Sequence, residues 1–186
     1  MIRPAIPKDV AAVVPLIIQA MGELSKKLTT VEDEEVIFGI FAHFFKLKGN
    51  QYSYENTLVF EENEEILGSL NAYDGEKLLQ LRKPFITYIT RHFNAGNLNQ
   101  STETEDGEFY LDSISVNPTA QGKGIGKQLI KAGINWATTL GHHTIGLLVE
   151  KNNKNALKLY EKMDFVIQNE KQFMGGAYHH MVFRII

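Results

Sequence analysis

The fold of this chain is decided by the stretch Val116-Asn117-Pro118-Thr119-Ala120-Gln121-Gly122-Lys123-Gly124-Ile125-Gly126-Lys127. Aromatic and branched residues precede it from Glu108 to Val116 and predict an extended strand. Beyond it, a helix is predicted to begin near Gly122, because apolar residues recur at helical spacing. These residues are Ile125, Leu129, Ala132, Trp136 and Leu140. Since Pro118 has no N–H to donate to a ladder, the strand is expected to end before it.

This strand-to-helix turn has the composition of an anion-binding loop. We call residues 121–126 the glycine loop. Its glycines leave no side chain between a ligand and the first turn of the helix that follows. That turn presents N–H groups without helical partners, together with the positive end of the helix dipole. Such a site suits a phosphate or pyrophosphate group.

Spacing separates three kinds of phosphate-binding loop. A Walker P-loop needs a glycine where Gln121 stands and a magnesium-binding hydroxyl where Gln128 stands. The dinucleotide fingerprint needs a third glycine where Lys127 stands. The pattern that fits is Gln-x-x-Gly-x-Gly, with Val116 five residues before the glutamine and Pro118 three before it. For a motif this short, a tight turn that binds nothing is the alternative.

The pattern resembles the pyrophosphate loop of the GNAT superfamily of N-acetyltransferases. A second GNAT signature follows in the right order and separation, Asn153-x-x-Ala156-x-x-Leu159-Tyr160-Glu161-Lys162-Met163-Asp164-Phe165. Asp164 stands where the family usually has glycine, at a position after a helix that often needs a left-handed backbone. The resemblance is tight from about residue 108 to residue 165 and loose elsewhere.

The resemblance implies an α/β (α+β) GNAT-like fold. Its central sheet would be mixed and mostly antiparallel, with about seven strands flanked by helices, and splayed between strands four and five. The expected order is β-α-α-β-β-(insert)-β-α-β-α-β-β in one domain over residues 1–186. The insertion, at about residues 75–107, is predicted to be helical from Glu76 to Phe93 with an interruption at Pro84, then a polar, mobile loop to Gly107. It is either the acceptor-specificity element or a plain surface excursion.

Local signals add detail at both ends of the chain. Asp9 is expected to cap the first helix, and Pro15 to kink or split it. A second helix is expected to begin after Thr29 or Thr30 and to run to about Lys46. Gly175-Gly176 is expected as the turn of the last hairpin.

Composition narrows the classes of function. No apolar run among the 186 residues approaches the roughly 20 of a membrane span, and no signal-peptide pattern is present, so we expect a cytoplasmic protein. The absence of cysteine excludes a thiolate nucleophile and disulfides. A net charge of −3 argues against nucleic-acid binding and mildly favours small cationic partners. The histidines occur mainly as adjacent pairs that would split between strand faces, so no metal site is expected.

The resemblance implies direct attack of an amine on the thioester of acetyl-CoA, which is the co-substrate. N–H groups of the glycine loop, and Lys127, would anchor the pyrophosphate, while the strand from Ile114 to Val116 pairs with the pantetheine arm. The N–H of Val116 would donate to the thioester oxygen. Asn153 would bond the pantetheine or cap its helix, and Lys162 would reach a CoA phosphate. The predicted cofactor-binding residues are Ile114, Ser115, Val116, Gln121, Gly122, Lys123, Gly124, Ile125, Gly126, Lys127, Asn153 and Tyr160.

A general base is required because an alkyl ammonium has a pKa of roughly 10.4. Many family members have a glutamate at the position of Tyr110, so the base is displaced here, and Asp112 is our first choice. By simple alternation it would share a strand face with Tyr110, Ile114 and Val116. His92 and Glu108 are further candidates. Alternatively, Asp112 only caps or hydrogen-bonds a loop.

Tyr160 matches the family position of the acid that protonates the leaving sulfur, although packing on the inner face of its helix would also explain a tyrosine. The sequence therefore predicts an N-acetyltransferase acting on a primary amine of a small molecule or peptide. A catalytically inactive acyl-CoA-binding sensor or interaction module is the alternative. The acidic residues Glu103, Glu105, Asp106 and Glu108 hint at a cationic amine or form a solvated loop. A homodimer is common among such proteins, but nothing in these residues fixes it.

Overall fold

The structure, a computed structural model, describes residues 1–93 and 102–185. The seven strands of the described chain are β1 (Ile2–Pro4), β2 (Thr57–Glu62), β3 (Glu65–Asp74), β4 (Glu108–Val116), β5 (Thr144–Glu150), β6 (Val166–Phe173) and β7 (Gly176–Arg184). The six α-helices in the same residues are α1 (Val10–Met21), α2 (Glu23–Thr29), α3 (Glu34–Lys46), α4 (Leu78–Phe93), α5 (Ile125–Thr139) and α6 (Lys154–Glu161).

All seven strands form one sheet in the order β1-β2-β3-β4-β5-β7-β6. Every neighbouring pair is antiparallel except β4 and β5, which are parallel. Their pairing runs from Glu108 opposite Thr144 to Tyr110 opposite Gly146, after which the two strands diverge. The predicted mixed sheet with a splay between strands four and five is therefore confirmed.

The two faces of the sheet carry separate cores. On one face α5 packs against β2, β3 and β4, and Leu129 and Ile130 are fully buried. This approach is close, since a Cβ on Gly133 would lie 2.7 Å from Leu70 Cδ2. On the other face α1, α3 and α4 bury an aromatic group in which Phe41, Tyr52 and Phe85 lie edge-on or tilted to one another. Each such large apolar side chain contributes roughly 1.5–3 kcal/mol of burial free energy.

Three predictions about the helices are wrong: a split of α1 at Pro15, a side-chain cap from Asp9, and an interruption of α4 at Pro84. Helix α1 continues through Pro15, because the residues on either side of it, Val14 and Leu16, are held in the core. Asp9 does not cap this helix with its side chain; its carboxylate accepts from the Ile6 N–H and pairs with Arg3. Helix α4 likewise continues through Pro84. The helix predicted to begin after Thr29 or Thr30 begins later, at Glu34, where the Asp33 side chain caps it by accepting from two N–H groups of its first turn, and it ends at Lys46 as predicted. Helix α2 was not predicted.

Residues with positive φ occupy the turn of the last hairpin and the segment that follows α6. The last hairpin pairs Phe173 with Gly176, so its turn residues are Met174 and Gly175 with φ of +48° and +80°, one residue earlier than predicted. Two positive φ values suit the right-handed twist of the flanking strands. Asp164 has φ of +66°, as its replacement of a glycine predicts. None of the helices in residues 1–93 and 102–185 is long and apolar enough to cross a membrane.

Candidate active site

The glycine loop turns the chain from β4 into α5. Gly122 and Gly124 have φ of +78° and +79°, which delays the start of α5 to Ile125, three residues beyond the predicted start. A Cβ added at either glycine would meet no atom within 4 Å, so the backbone borders open space. The first helical hydrogen bond is donated by Gln128 N–H to Gly124 O. The preceding N–H groups therefore point out of the helix end, where an anion would bind.

The side chains around this loop divide into exposed and buried. Lys123 and Lys127 are exposed beside it, whereas the Ile125 side chain is buried against the core and offers only its N–H. The Gln121 side chain donates to Val116 O at 3.2 Å. The loop is thus tied back to the end of β4, and its glycines border open space with their backbone.

The end of β4 directs part of its own backbone toward the splay. Asn117 N–H donates to Leu67 O on β3, and Ser115 lies opposite Ser69 in the same register. Because antiparallel strands alternate their hydrogen-bonded pairs, the N–H groups of Ile114 and Val116 point away from β3, toward the diverging β5. Ser115 is buried and its hydroxyl accepts from Gln19 Nε2 at 2.7 Å.

A cavity of about 490 Å³ lies where β4 and β5 separate. Asp112 and Ile114 of β4 line it, as do Asn153 and Tyr160 of the segment after β5. The predicted base and the predicted acid therefore face one space. Two residues of the insertion, Arg82 and Glu103, also reach this lining.

A β-bulge decides where Asp112 points. Asn71 of β3 lies opposite Ser113 and Ala72 lies opposite Leu111, which leaves Asp112 as the extra residue of β4. As a result Ile114 and Val116 pack with Leu111 on the α5 side, although Ile114 also borders the cavity. The prediction that Asp112 shares their face by simple alternation is wrong. It shares the side of Tyr110 only.

Asp112 ends a chain of polar side chains. Its Oδ1 accepts from the Tyr73 hydroxyl at 2.7 Å and from Gln51 Nε2 at 3.0 Å. Gln51 Oε1 accepts from Arg82 Nε at 3.0 Å, and the Arg82 guanidinium pairs with Glu103. We call these five residues the polar wall.

The surroundings of Asp112 raise the pKa of its carboxyl group. Burial, followed by the negative charge of Glu103, raises its pKa to about 6, and the hydrogen bonds from Tyr73 and Gln51 oppose this rise. Both described hydrogen bonds use Oδ1, so Oδ2 is the oxygen available to take a proton from a ligand. A carboxylate with a pKa near neutrality is suited to general-base work.

Tyr110 and Tyr160 are both tyrosines whose pKa is raised, but their rings pack against different residues. The Tyr110 ring lies 6.0 Å from that of Tyr73, and burial raises the pKa of Tyr110 well above the usual value, so its hydroxyl keeps its proton at neutral pH. Tyr160 packs 5.9 Å from Phe165 and also lines the cavity. Burial raises the pKa of Tyr160 to about 12, so its hydroxyl keeps its proton at neutral pH.

The remaining predicted residues serve other contacts. Asn153 Oδ1 accepts from the Ala156 N–H at 3.1 Å and so caps α6, one of its two predicted roles. Lys162 lies at the other end of that helix. Glu108 is buried with its Oε2 2.9 Å from His180 Nε2, and the His92 ring lies tilted against that of Tyr88, with 4.4 Å between the ring centroids. Neither of these further base candidates lines the cavity.

The structure buries Glu103 and Glu108 but leaves Asp106 exposed, so only part of the predicted solvated loop is found. Residues 94–101 of the predicted loop lie outside the described residues. Glu103, Thr104 and Glu108 are buried. Lys171 Nζ donates to Glu103 O at 3.0 Å and the Thr104 hydroxyl donates to Gly75 O at 3.0 Å. This part of the insertion is therefore packed on β6 and on the start of the α4 segment.

Three members of the polar wall were missed from the sequence: Gln51, Tyr73 and Arg82. Glu103 was named only as one of four acidic residues that hint at a cationic amine or form a solvated loop. Only Arg82 leaves a local signal. It falls at helical spacing among Leu78, Phe85 and Ile89, the buried stripe of α4, where a charged residue needs a partner. No group of three or more potential metal ligands occurs in residues 1–93 and 102–185, so the expected lack of a metal stays a prediction.

Comparison with known proteins agrees with this geometry. The model of the Acetyltransferase (GNAT) family matches residues 20–165. The fold is similar to that of an N-acetyltransferase from Staphylococcus aureus Mu50, with a TM-score of 0.85 and 23% identity over 98% of this chain and 100% of that one. It is also similar to a putative acetyltransferase from Salmonella typhimurium solved with acetyl-CoA, with a TM-score of 0.57 and 18% identity over 99% and 92% of the two chains.

Among curated proteins the chain resembles the mycothiol acetyltransferase of Rhodococcus jostii, with 26% identity over 142 residues, 73% of this chain and 43% of the relative. It spans less than half the length of the curated relatives it matches, from 18% to 47%. The family match covers most of the chain, and with the splayed sheet it settles the class of protein. The chain belongs to the GNAT family of acetyltransferases.

Proposed function

We propose that the protein transfers the acetyl group of acetyl-CoA to a primary amine of a small molecule or peptide by direct attack. The observation that carries this proposal is the shared cavity: Asp112, with a pKa of about 6, and Tyr160, with a pKa of about 12, both line the space where β4 and β5 diverge. One is poised to accept a proton and the other holds one to give.

The residues at the splay fit acetyl-CoA as the donor. The glycine loop offers N–H groups at the α5 N-terminus for the pyrophosphate. The Ile114 and Val116 N–H groups point into the gap left by β5, where an extended pantetheine arm would be paired as a strand is. In this arrangement the Val116 N–H donates to the thioester oxygen and stabilises its developing charge. When bound, acetyl-CoA supplies the thioester carbonyl.

Each proton in the reaction then has a place to go. An ammonium that enters the cavity loses one proton to Asp112, directly or through water, and the free amine attacks the thioester carbon. The C–N bond forms and the C–S bond breaks. Tyr160 protonates the leaving thiolate and regains a proton from the nitrogen as it becomes an amide. Asp112 passes its proton to solvent.

Free-thiol release, measured with acetyl-CoA over a panel of primary amines, tests the proposal. We expect CoA to be released only when an amine acceptor is present. Substitutions in the glycine loop should change the dissociation constant for CoA. A protein that binds acetyl-CoA but turns over no amine would instead be the sensor module. The raised pKa of Asp112 and the position of Tyr160 favour the transferase.

Two broader expectations belong to the same proposal. A GNAT enzyme that uses acetyl-CoA is expected in the cytoplasm, which fractionation of cells would test. A homodimer is the proposed assembly, and sedimentation that showed only monomer would reject it.

A further inference from the structure

Glu103 carries a polar atom whose partner is missing from its surroundings. The residue is 4% exposed, and its Oε1 pairs with Arg82. Its Oε2 is buried and has no hydrogen-bond partner among the described residues. A buried carboxylate oxygen left without a donor is unfavourable, and native structures rarely tolerate one without a reason.

Glu103 lines the cavity, and hydrogen bonds with neighbouring elements fix the backbone around it. The Glu103 carbonyl accepts from Lys171, and the next two residues are fixed as well: Thr104 donates to Gly75, and Glu105 accepts from Asn169 at 2.8 Å. The carboxylate is therefore held ready in advance, and binding a donor there costs little rearrangement.

The cavity as a whole attracts cations. The acidic and basic side chains of its described lining are four carboxylates and one guanidinium, namely Glu23, Glu103, Asp112, Glu150 and Arg82. Rings of Tyr52, Phe173 and Tyr178 also line it, and the faces of such rings attract ammonium groups. A single ammonium at Asp112 would leave this lining net negative.

We infer that Glu103 is a second recognition point for the acceptor, and that the acceptor is a diamine or longer polyamine. Its reacting nitrogen lies at Asp112, and its second, charged nitrogen donates to Glu103 Oε2. This inference rests on the proposed function and names its substrate class. The insertion then supplies specificity, because Glu103 and its partner Arg82 both come from it.

The test compares linear α,ω-diamines, from 1,3-diaminopropane to 1,6-diaminohexane, with n-alkylamines of the same length as acetyl acceptors. For the best diamine we expect kcat/KM about tenfold or more above that of its monoamine, since a hydrogen bond to a charged group is worth at least that much. Glu103→Gln should bring this ratio close to one. Equal kcat/KM for diamines and monoamines at every length in the unaltered protein would overturn the inference.

Two further variants separate recognition from folding. Asp106→Asn changes a neighbouring acidic residue that is exposed and outside the cavity lining, and it should keep the diamine preference. Glu103→Asp keeps the charge beside Arg82 but withdraws the oxygen by one methylene, so the preferred diamine should become longer. An unchanged optimum length in a folded Glu103→Asp protein would contradict the inference.

A binding measurement keeps the inference distinct from the proposed function. Calorimetric titration of the same diamines into the protein with CoA present reports the second contact without turnover. Diamine binding that weakens at least about tenfold in Glu103→Gln supports it even if no amine is acetylated. Acetylation of monoamines with no diamine preference would leave the transferase standing and remove only the role of Glu103.

Discussion

The glycine loop and the polar wall both adjoin β4 but are built in different ways: the loop follows the end of the strand, and the wall includes its residue Asp112. The glycine loop is one continuous run of residues, and its candidate binding groups are backbone N–H groups at the start of α5. The polar wall joins side chains from four separate segments, the loop before β2, β3, the insertion and β4. Recognition by backbone groups depends on local conformation, so a short sequence motif is enough to predict it. Recognition by side chains depends on which segments the fold brings together.

The largest expected effect comes from replacing Asp112, the member of the polar wall that is the proposed general base. Asp112→Asn should lower kcat/KM by about 10²–10⁴-fold, because loss of a general base typically costs that much. The dissociation constant for acetyl-CoA should stay the same, since the glycine loop is untouched. Steady-state kinetics and calorimetry measure the two quantities. Unchanged turnover would remove Asp112 from the mechanism.

The pH profile sharpens this prediction. The pKa of Asp112 is raised to about 6, so its carboxyl is protonated, and unable to accept a proton, below that pH. In the unaltered protein kcat/KM should fall tenfold per pH unit below about 6. The acid limb should be missing from the residual activity of the Asp112→Asn protein. A limb that survives this substitution would belong to another group.

A smaller effect, confined to the loop, is expected from Gly124→Ala. Gly124 has φ of +79°, and a Cβ there would enter the open space where the pyrophosphate is proposed to lie. The dissociation constant for CoA should rise about tenfold or more, through lost N–H contacts. Gly141→Ala is a matched control, because Gly141 has φ of +82° and equally open surroundings beyond the other end of α5. Both variants should lose about 1–2 kcal/mol of stability, and equal CoA binding by both would contradict the loop's role.

The smallest effect is expected at Tyr160, which lines the cavity. A thiol pKa of roughly 8.5 lets the thiolate leave without much help, so Tyr160→Phe should reduce kcat only about tenfold. The melting temperature should hardly change, because the ring still packs against Phe165. Full activity would show that packing alone explains this tyrosine.

Prediction from the sequence succeeded where the determinants are local. The glycine loop, the cap at Asn153 and the left-handed Asp164 each depend on a few adjacent residues, and periodicity placed the strands and most helices. It failed where packing overrides a local rule. Pro15 and Pro84 sit inside continuous helices, and the bulge at Asp112 breaks the alternation that assigned its face.

The sequence by itself determined the family, the strand-to-helix turn of the glycine loop and the positions of Tyr160 and Asp112 along the chain. Only the tertiary structure joined Asp112 to Tyr73, Gln51, Arg82 and Glu103, because these contacts span from 21 to 61 positions of sequence. Burial of that network raises the Asp112 pKa, and burial arises only when the sheet and the insertion close around it. Backbone geometry is a property of neighbours in the chain, whereas the electrostatics of a buried side chain is a property of neighbours in space.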